Sequence, residues 1–182
     1  MHMRLLILPM AALALVSCDS GEVPSPTEQQ TLRPPSAQIA GNEILLRRDG
    51  LVAGAEAFYF AAGQSEVEAA LARAVGPSTL SIELNGCSAD TIESVRFAEK
   101  LSVNFRDGRL IGWYNADASE TIRLDGDVQV GMSRDEAEQV PALSIIGDNK
   151  LGTEFSLGDE IGGFFDDGAV YLLYAGTQCF ER

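Results

Sequence analysis

Apolar residues recur at the spacing of one helix face between positions 67 and 75 of the chain. The positions are Val67, Ala70, Leu71, Ala74 and Val75. This spacing predicts an amphipathic helix that ends at Gly76-Pro77, because proline cannot continue a helix and glycine favours its end. Ser65 precedes Glu68 by three residues, which is the capping-box pattern that satisfies free N–H groups at a helix start.

A second capping box predicts a shorter helix later in the chain. Ser133 precedes Glu136 by three residues. Pro141 disfavours helical backbone at the residue before it, so this helix is expected to end at or before Val140.

Two pairs of apolar runs predict β-hairpins. In each pair the runs flank an Asp-Gly turn, which favours a tight hairpin because both residues tolerate positive φ. The runs are Leu101–Phe105 with Leu110–Tyr114, around Asp107-Gly108, and Phe164-Phe165 with Ala169–Tyr174, around Asp167-Gly168.

The chain also contains an internal echo that predicts a duplicated unit. Residues 44–54 read as an apolar run, Asp-Gly and a second run ending in glycine, and residues 121–131 repeat this order. With one helix and one hairpin in each half, the pattern predicts an α+β fold, in which antiparallel sheets carry short helices packed on one face. The expected domain covers residues 43–182, with sub-repeats at about 43–116 and 117–182.

This pattern resembles two small envelope families. The tandem units resemble the β-lactamase inhibitor protein, which is built from helix-plus-four-strand repeats. Gly131-Met132-Ser133 before an acidic helix is similar to the helical start of the small lipoprotein of the outer-membrane β-barrel assembly machine. The alternative is that any capped helix after a strand produces the same pattern.

The first eighteen residues predict export and lipidation. A single charge at Arg4 precedes an apolar run over residues 5–16, which is typical of a secretory signal peptide spanning residues 1–17. The run is shorter than the roughly 20 residues that cross a bilayer as a helix. The sequence LVSC that ends at Cys18 resembles the lipobox of bacterial lipoproteins, which implies cleavage before Cys18 and a diacylglyceryl group on its thiol. An ordinary cleaved signal peptide is the alternative.

The next stretch predicts a tether between lipid and domain. Residues 18–42 are rich in proline, serine, glutamine and glycine and show no apolar periodicity. Asp19 resembles the inner-membrane retention signal of enteric lipoproteins, and an outer-membrane location stays open because that rule varies between bacterial groups. The expected location is the bacterial cell envelope, with the domain facing the periplasm and held to the membrane by lipid on Cys18.

The chain is strongly acidic. Its 182 residues carry 13 basic and 27 acidic side chains, a net charge of -14. Such a chain repels polyanions, so no nucleic-acid partner is expected. With 46% hydrophobic residues it holds enough apolar material for a folded core.

Two cysteines predict a disulfide. Once Cys18 is assigned to lipid, Cys87 and Cys179 remain in a chain expected outside the reducing cytoplasm. A bridge between them would join the two halves. The alternative, a reactive thiol, is disfavoured because Asp90 and Glu181 are close to the cysteines in sequence and oppose a thiolate.

Histidine is missing from the expected mature chain, since His2 leaves with the signal peptide. Histidine-dependent triads, dyads and zinc or haem sites therefore cannot be built. No glycine-rich nucleotide-binding motif is present in the sequence either. The sequence predicts no cofactor, no metal site and no catalytic site.

Carboxylates are the remaining source of chemistry. Asp125, Asp127 and Glu136 match three ligand positions of a calcium loop. Val130 stands where that loop needs glycine, so a turn followed by a helix cap is the favoured interpretation. The other acidic pairs are expected to be solvated turns rather than an acid-base couple; they are Asp159-Glu160 and Asp166-Asp167.

Aromatic residues supply the candidate interface. Phe58 and Tyr59 precede the first helix, and Trp113 and Tyr114 lie on the second strand of the first hairpin. Each is either a core residue or an exposed interface anchor, because aromatic side chains bury much area at little entropic cost. Strand alternation puts Trp113 and Tyr114 on opposite faces of their strand.

The leading functional hypothesis is a non-catalytic, lipid-anchored envelope domain that binds another envelope protein in an assembly, scaffold or inhibitor role. Two alternatives stay open. One is a periplasmic module that binds a small ligand or cation through the acidic second half. The other is a carboxylate-based hydrolase.

Overall fold

The computed structural model describes residues 40–86, 91–98 and 100–180, all of which belong to one compact unit. The predicted signal peptide, Cys18 and most of the tether lie outside these residues. Within the described part the helices are α1 (Gln64–Val75) and α2 (Arg134–Ala137). The strands are β1 (Ile44–Arg47), β2 (Gly50–Ala53), β3 (Glu56–Tyr59), β4 (Leu80–Leu84), β5 (Ile92–Phe97), β6 (Leu101–Arg106), β7 (Arg109–Asn115), β8 (Ile122–Leu124), β9 (Leu143–Asn149), β10 (Gly152–Leu157), β11 (Ile161–Asp166) and β12 (Ala169–Gly176).

Eight strands form one antiparallel sheet, the large sheet, in the order β4-β5-β6-β7-β12-β11-β10-β9. Strands β4 to β7 form a meander in the first half of the chain, and strands β9 to β12 form another in the second half. The two meanders meet where β7 pairs with β12, with Trp113 opposite Ala175 and Tyr114 opposite Tyr174. This pairing makes the two meanders one continuous sheet.

The remaining strands form a four-stranded small sheet in the order β3-β2-β1-β8. Strands β1 and β8 pair in parallel, with Ile44 opposite Ile122 and Leu46 opposite Leu124. These strands come from the two echoed runs of the sequence, so the echoed segments lie side by side.

The expected α+β class is wrong, because the described part is mainly β and looks like a β-sandwich. Helix α1 has 12 residues and α2 has 4, which is too little helix to form a layer. The strand signal in β4 is a period of two, since Leu80, Ile82 and Leu84 alternate with polar residues. The capping motifs predict helices more clearly than such short alternating runs predict strands, so the sequence pattern favours an α+β fold.

One face of the large sheet, the inner face, carries the main core. Val95, Val103, Trp113 and Ala175 form a row across four neighbouring strands, and each is at most 2% exposed. The buried residues of α1 and of the small sheet belong to the same core cluster. Fully burying one large apolar side chain contributes roughly 1.5–3 kcal/mol, so this row is a main source of stability. The opposite side of the large sheet is the outer face.

Trp113 also links the two sheets by a hydrogen bond. Its indole Nε1 donates to the backbone oxygen of Arg47 in β1 at 2.8 Å. A buried indole N–H needs such a partner, because leaving it unsatisfied costs the desolvation of the group.

Helix α1 begins earlier than its capping pattern predicts. Its N-cap is Gly63, which makes no side-chain cap bond, and Ser65 lies exposed in the first turn. The predicted capping box of Ser65 and Glu68 is therefore wrong. The predicted end is confirmed, since Gly76 is the C-cap at φ 92°. The buried face is confirmed at Val67, Ala70 and Leu71.

The capping box of α2 is confirmed. The Ser133 hydroxyl accepts from the backbone N–H of Glu136, and the Glu136 carboxylate accepts from the backbone N–H of Ser133 at 3.2 Å. The hydrogen bonds from the Ser133 side chain and backbone hold the pKa of Glu136 below its ordinary value of 4.5. The helix ends at Ala137, before the predicted limit at Val140.

Both predicted hairpins are confirmed, and each docks against the helix of its half in the same way. Gly108 and Gly168 occupy the turns at φ 69° and 77°. The carbonyl of Gly108 accepts from the N–H of Gln64 at 2.9 Å, and the carbonyl of Gly168 accepts from the N–H of Arg134 at 2.8 Å. No helix of the described part is both long and apolar enough to cross a membrane.

Replacing Trp113 by phenylalanine is expected to destabilise the domain by about 3 kcal/mol. The change leaves a cavity and removes the donor to the Arg47 carbonyl. Urea unfolding followed by circular dichroism measures this, since the chain has one tryptophan and the variant lacks it as a fluorophore. Tyr59→Phe, at an exposed site, is the control. A loss below about 0.5 kcal/mol in Trp113→Phe would contradict the inferred link.

Replacing Ser133 by alanine is expected to lower the free energy of unfolding by roughly 1 kcal/mol at neutral pH. Because the folded pKa of Glu136 is depressed, its contribution is present above pH 4.5 and is lost as the pH falls through the folded value. The difference from wild type should therefore shrink at acid pH. Ser65→Ala is the matched control and should be near neutral at every pH. Equal losses in the two variants would contradict the assigned caps.

Candidate functional site

The four aromatic residues predicted as core or interface fall into two groups. Trp113 is 0% exposed and Phe58 is 9% exposed, so both are core residues and the interface-anchor alternative is wrong for these two. Tyr114 lies half-buried on the outer face of the large sheet. Tyr59 is 57% exposed at the end of β3, in the small sheet. The structure does not bring the four together.

A continuous row of residues, the central row, crosses the outer face from one edge of the large sheet to the other. Each member pairs with the next across neighbouring strands. The members are Leu80, Arg96, Ser102, Tyr114, Tyr174, Gly162, Ser156 and Ser144. At the usual spacing between strands, the row is roughly 34 Å long. It contains no carboxylate, although the chain has 27 acidic residues.

Aromatic rings occupy the middle of the outer face. The Phe180 ring lies edge-on to Tyr114 and to Tyr174, with centroids 5.9 and 5.2 Å apart. It also lies edge-on to Phe164 at 5.6 Å. Edge-to-face contacts at these distances are favourable because the positive edge of one ring meets the negative face of another. The two tyrosines of the central row are therefore held in fixed positions.

A buried carboxylate fixes Tyr174. Its hydroxyl donates to Glu154 Oε1 at 2.6 Å, and the side chain of Asn149 donates to Glu154 Oε2 at 3.0 Å. Glu154 is 5% exposed, so its charge faces these donors rather than solvent. The Tyr174 ring covers Gly162, where an added Cβ would lie 2.1 Å from the ring. Glycine at position 162 is therefore required for this orientation of Tyr174.

The end of the described chain, residues 177–180, crosses the outer face as a strap. Gln178 anchors it, because its side-chain Nε2 donates to the backbone oxygen of Trp113 at 2.9 Å and to that of Ala175 at 2.7 Å. These two carbonyls belong to β7 and β12. The strap thus reinforces the seam between the two meanders.

The strap contains one cysteine of the predicted disulfide. Cys179 is disulfide-bonded. Cys87 lies outside the described residues, so its pairing with Cys179 stays a prediction. A disulfide at Cys179 adds a covalent constraint to the hydrogen bonds that hold the strap.

Two open clefts lie at equivalent positions in the two halves, with volumes of about 290 and 200 Å³. Each is lined by the first residue of a helix, an acidic residue of an edge strand and the aspartate of a hairpin turn. These residues are Arg134, Asp148 and Asp167 in the larger cleft, and Gln64, Glu83 and Asp107 in the smaller. Small-molecule sites are usually concave and mostly apolar, and neither cleft has that character.

Two of the three candidate calcium ligands, Asp125 and Glu136, are engaged in other contacts. Asp125 Oδ2 lies 3.8 Å from Arg47 Nε, and the Glu136 carboxylate bonds Ser133 in the helix cap. In the described part of the chain, no three histidine, cysteine, aspartate or glutamate side chains are grouped so that they could hold a metal ion. The other acidic pairs are exposed at turns; they are Asp159-Glu160 and Asp166-Asp167.

The outer face contains residues that the sequence analysis did not single out. Arg96 and Leu80 lie on β5 and β4, two strands that no hairpin signal marked. Tyr174 was placed on a strand, but its position opposite Tyr114 depends on the pairing of two segments about 60 residues apart in sequence. The alternation of β4 was the one local signal that could have pointed to this surface.

No family model, no curated protein and no solved structure matches the chain. A function must therefore be argued from the chemistry of the outer face and from the sequence before residue 43.

Proposed function

We propose that this chain is a lipid-anchored, non-catalytic protein of the bacterial cell envelope, and that the outer face of its large sheet binds another envelope protein. The signal peptide, the LVSC sequence ending at Cys18 and the tether support the anchor. The central row supports the binding role.

The chemistry of the central row carries the proposal. The members with exposed area include two tyrosines, one arginine and the apolar Leu80, whereas Ser102 and Gly162 are buried. Tyrosine and arginine are enriched in protein interfaces and are frequent energetic anchors there. Carboxylates are depleted in the core of such interfaces. Tyr114, Tyr174 and Arg96 of the central row follow this composition in a chain with a net charge of -14.

The rigidity of the outer face favours the same role. Tyr174 is held by Glu154, and Tyr114 packs edge-on against Phe180 of the strap. A surface whose anchors are already ordered loses little conformational entropy when it binds. By contrast, the two clefts are open and polar, so no observation favours the small-ligand module or the hydrolase.

Truncating Tyr114 is expected to reduce partner capture by at least about tenfold, as removal of an interface anchor does. The test crosslinks intact cells, isolates the tagged chain and quantifies co-isolated envelope proteins by mass spectrometry. Tyr59→Ala is the control, because Tyr59 is an exposed tyrosine on the other sheet. One recurrent protein should be retained by wild type and Tyr59→Ala and lost by Tyr114→Ala.

Circular dichroism of the purified Tyr114→Ala variant establishes that the domain is folded. Undiminished capture by this folded variant would contradict a binding role of the outer face at Tyr114.

Replacing Cys18 by serine is expected to abolish lipid attachment. Cells grown with radiolabelled palmitate should label the wild type, which should partition into the detergent phase, and the variant should do neither. Cys179→Ser is the matched control and should keep the label, because the Cys179 sulfur is in a disulfide and is not the acceptor. Label on the Cys18→Ser chain would contradict the proposed anchor.

A further inference from the structure

Arg96 is the cation of the central row. It lies half-buried on β5, directly opposite Leu80 of β4 and Ser102 of β6. Its backbone oxygen accepts from the N–H of Thr79 at 2.8 Å, and strand alternation puts its side chain on the outer face. Among the described residues, no carboxylate forms an ion pair with this guanidinium.

The charges of β4 and β5 are separated between the two faces of the sheet. Glu83 and Glu93 pair across these strands on the inner side, three positions along the strands from the outer-side pair of Leu80 and Arg96. Because side chains alternate, the carboxylates of these two strands cannot neutralise Arg96. The buried Glu154, also on the outer face, is bonded to Tyr174 and Asn149.

The apolar and aromatic neighbours of Arg96 suit a charge-assisted contact. Leu80 is 42% exposed on one side, while on the other side Ser102 is 1% exposed and Tyr114 lies one strand beyond it. When such neighbours exclude water, a guanidinium-carboxylate pair strengthens because the local dielectric constant falls. Arginine binds a carboxylate through two parallel N–H bonds, which also sets the orientation of the partner.

We infer that Arg96 takes a carboxylate from the partner, so that the segment docked on Leu80 and Arg96 carries an aspartate or glutamate. This inference rests on the proposed function of the outer face. The whole chain has a net charge of -14 and would repel a strongly acidic protein. The partner is therefore expected to carry a carboxylate at the contact without being acidic overall. The charge complementarity is therefore local to the central row.

Photocrosslinking in intact cells tests the inference. The full-length, lipid-anchored chain carries benzoylphenylalanine in place of Leu80, an exposed position beside Arg96. Irradiation should give an adduct with one envelope protein, and the crosslinked peptide should contain aspartate or glutamate. In the same background, Arg96→Glu should reduce the adduct at least about tenfold, as like charges at an interface do. Arg96→Lys should retain part of it.

Arg123→Glu is the matched charge control, since Arg123 is an exposed arginine on β8 of the small sheet. It should leave the adduct unchanged. Benzoylphenylalanine in place of Tyr59 controls for crosslinking away from the outer face and should not give the same adduct. Circular dichroism of each purified variant shows that it is folded.

The outcomes separate the two claims. An adduct that persists in folded Arg96→Glu overturns the carboxylate inference and leaves the binding role of the outer face intact. An adduct with a second copy of this chain or with lipid overturns both. Absence of any adduct at Leu80, together with unchanged partner capture by Tyr114→Ala, also overturns both.

Discussion

The pairing of β7 with β12 is the constraint on which the rest of the structure depends. Each meander alone would leave a four-stranded sheet with an unpaired edge, and exposed edges are sites of unwanted strand pairing. Joining them pairs the β7 edge of one meander with the β12 edge of the other and aligns the row of buried residues around Trp113. The same pairing sets Tyr114 opposite Tyr174 on the outer face. One backbone ladder thus builds the core and the candidate interface together.

The two faces of the large sheet divide the physical tasks. The inner face buries apolar side chains against α1 and the small sheet, and the indole of Trp113 bonds the Arg47 carbonyl across the gap. The outer face has no helix of the described part packed on it, and the strap covers its middle instead. Because folding does not bury the outer face under another layer, its side chains are free to serve a binding role.

The two halves of the described domain share one backbone arrangement around their helices. In both halves a short helix begins beside a hairpin turn, and its first N–H bonds the glycine of that turn. The side chains at equivalent positions of the two halves nevertheless differ. Arg134 of one cleft corresponds to Gln64 of the other, and the α2 cap at Ser133 corresponds to an uncapped Gly63. The shared geometry comes from the backbone, and the individual side chains are free to differ.

The sequence alone determined the features that depend on a few neighbouring residues. These are the buried face and end of α1, the cap at Ser133 and the Asp-Gly hairpins. Each follows from local sterics, hydrogen bonding or motif chemistry. The fold class was predicted wrongly, because short alternating strands such as β4 give a weaker local signal than a capped helix.

Only the tertiary structure decided which strands pair and which face each side chain occupies. Adjacent residues in a strand point to opposite sides, so the sequence shows that Trp113 and Tyr114 lie on opposite faces of the strand. It does not show which of the two faces is buried in the core. Arg96 lies in the central row because β5 pairs with β4 and β6, and Tyr174 lies there because β12 pairs with β7 at the centre of the sheet. Such contacts join residues distant in the chain, and no local pattern encodes them.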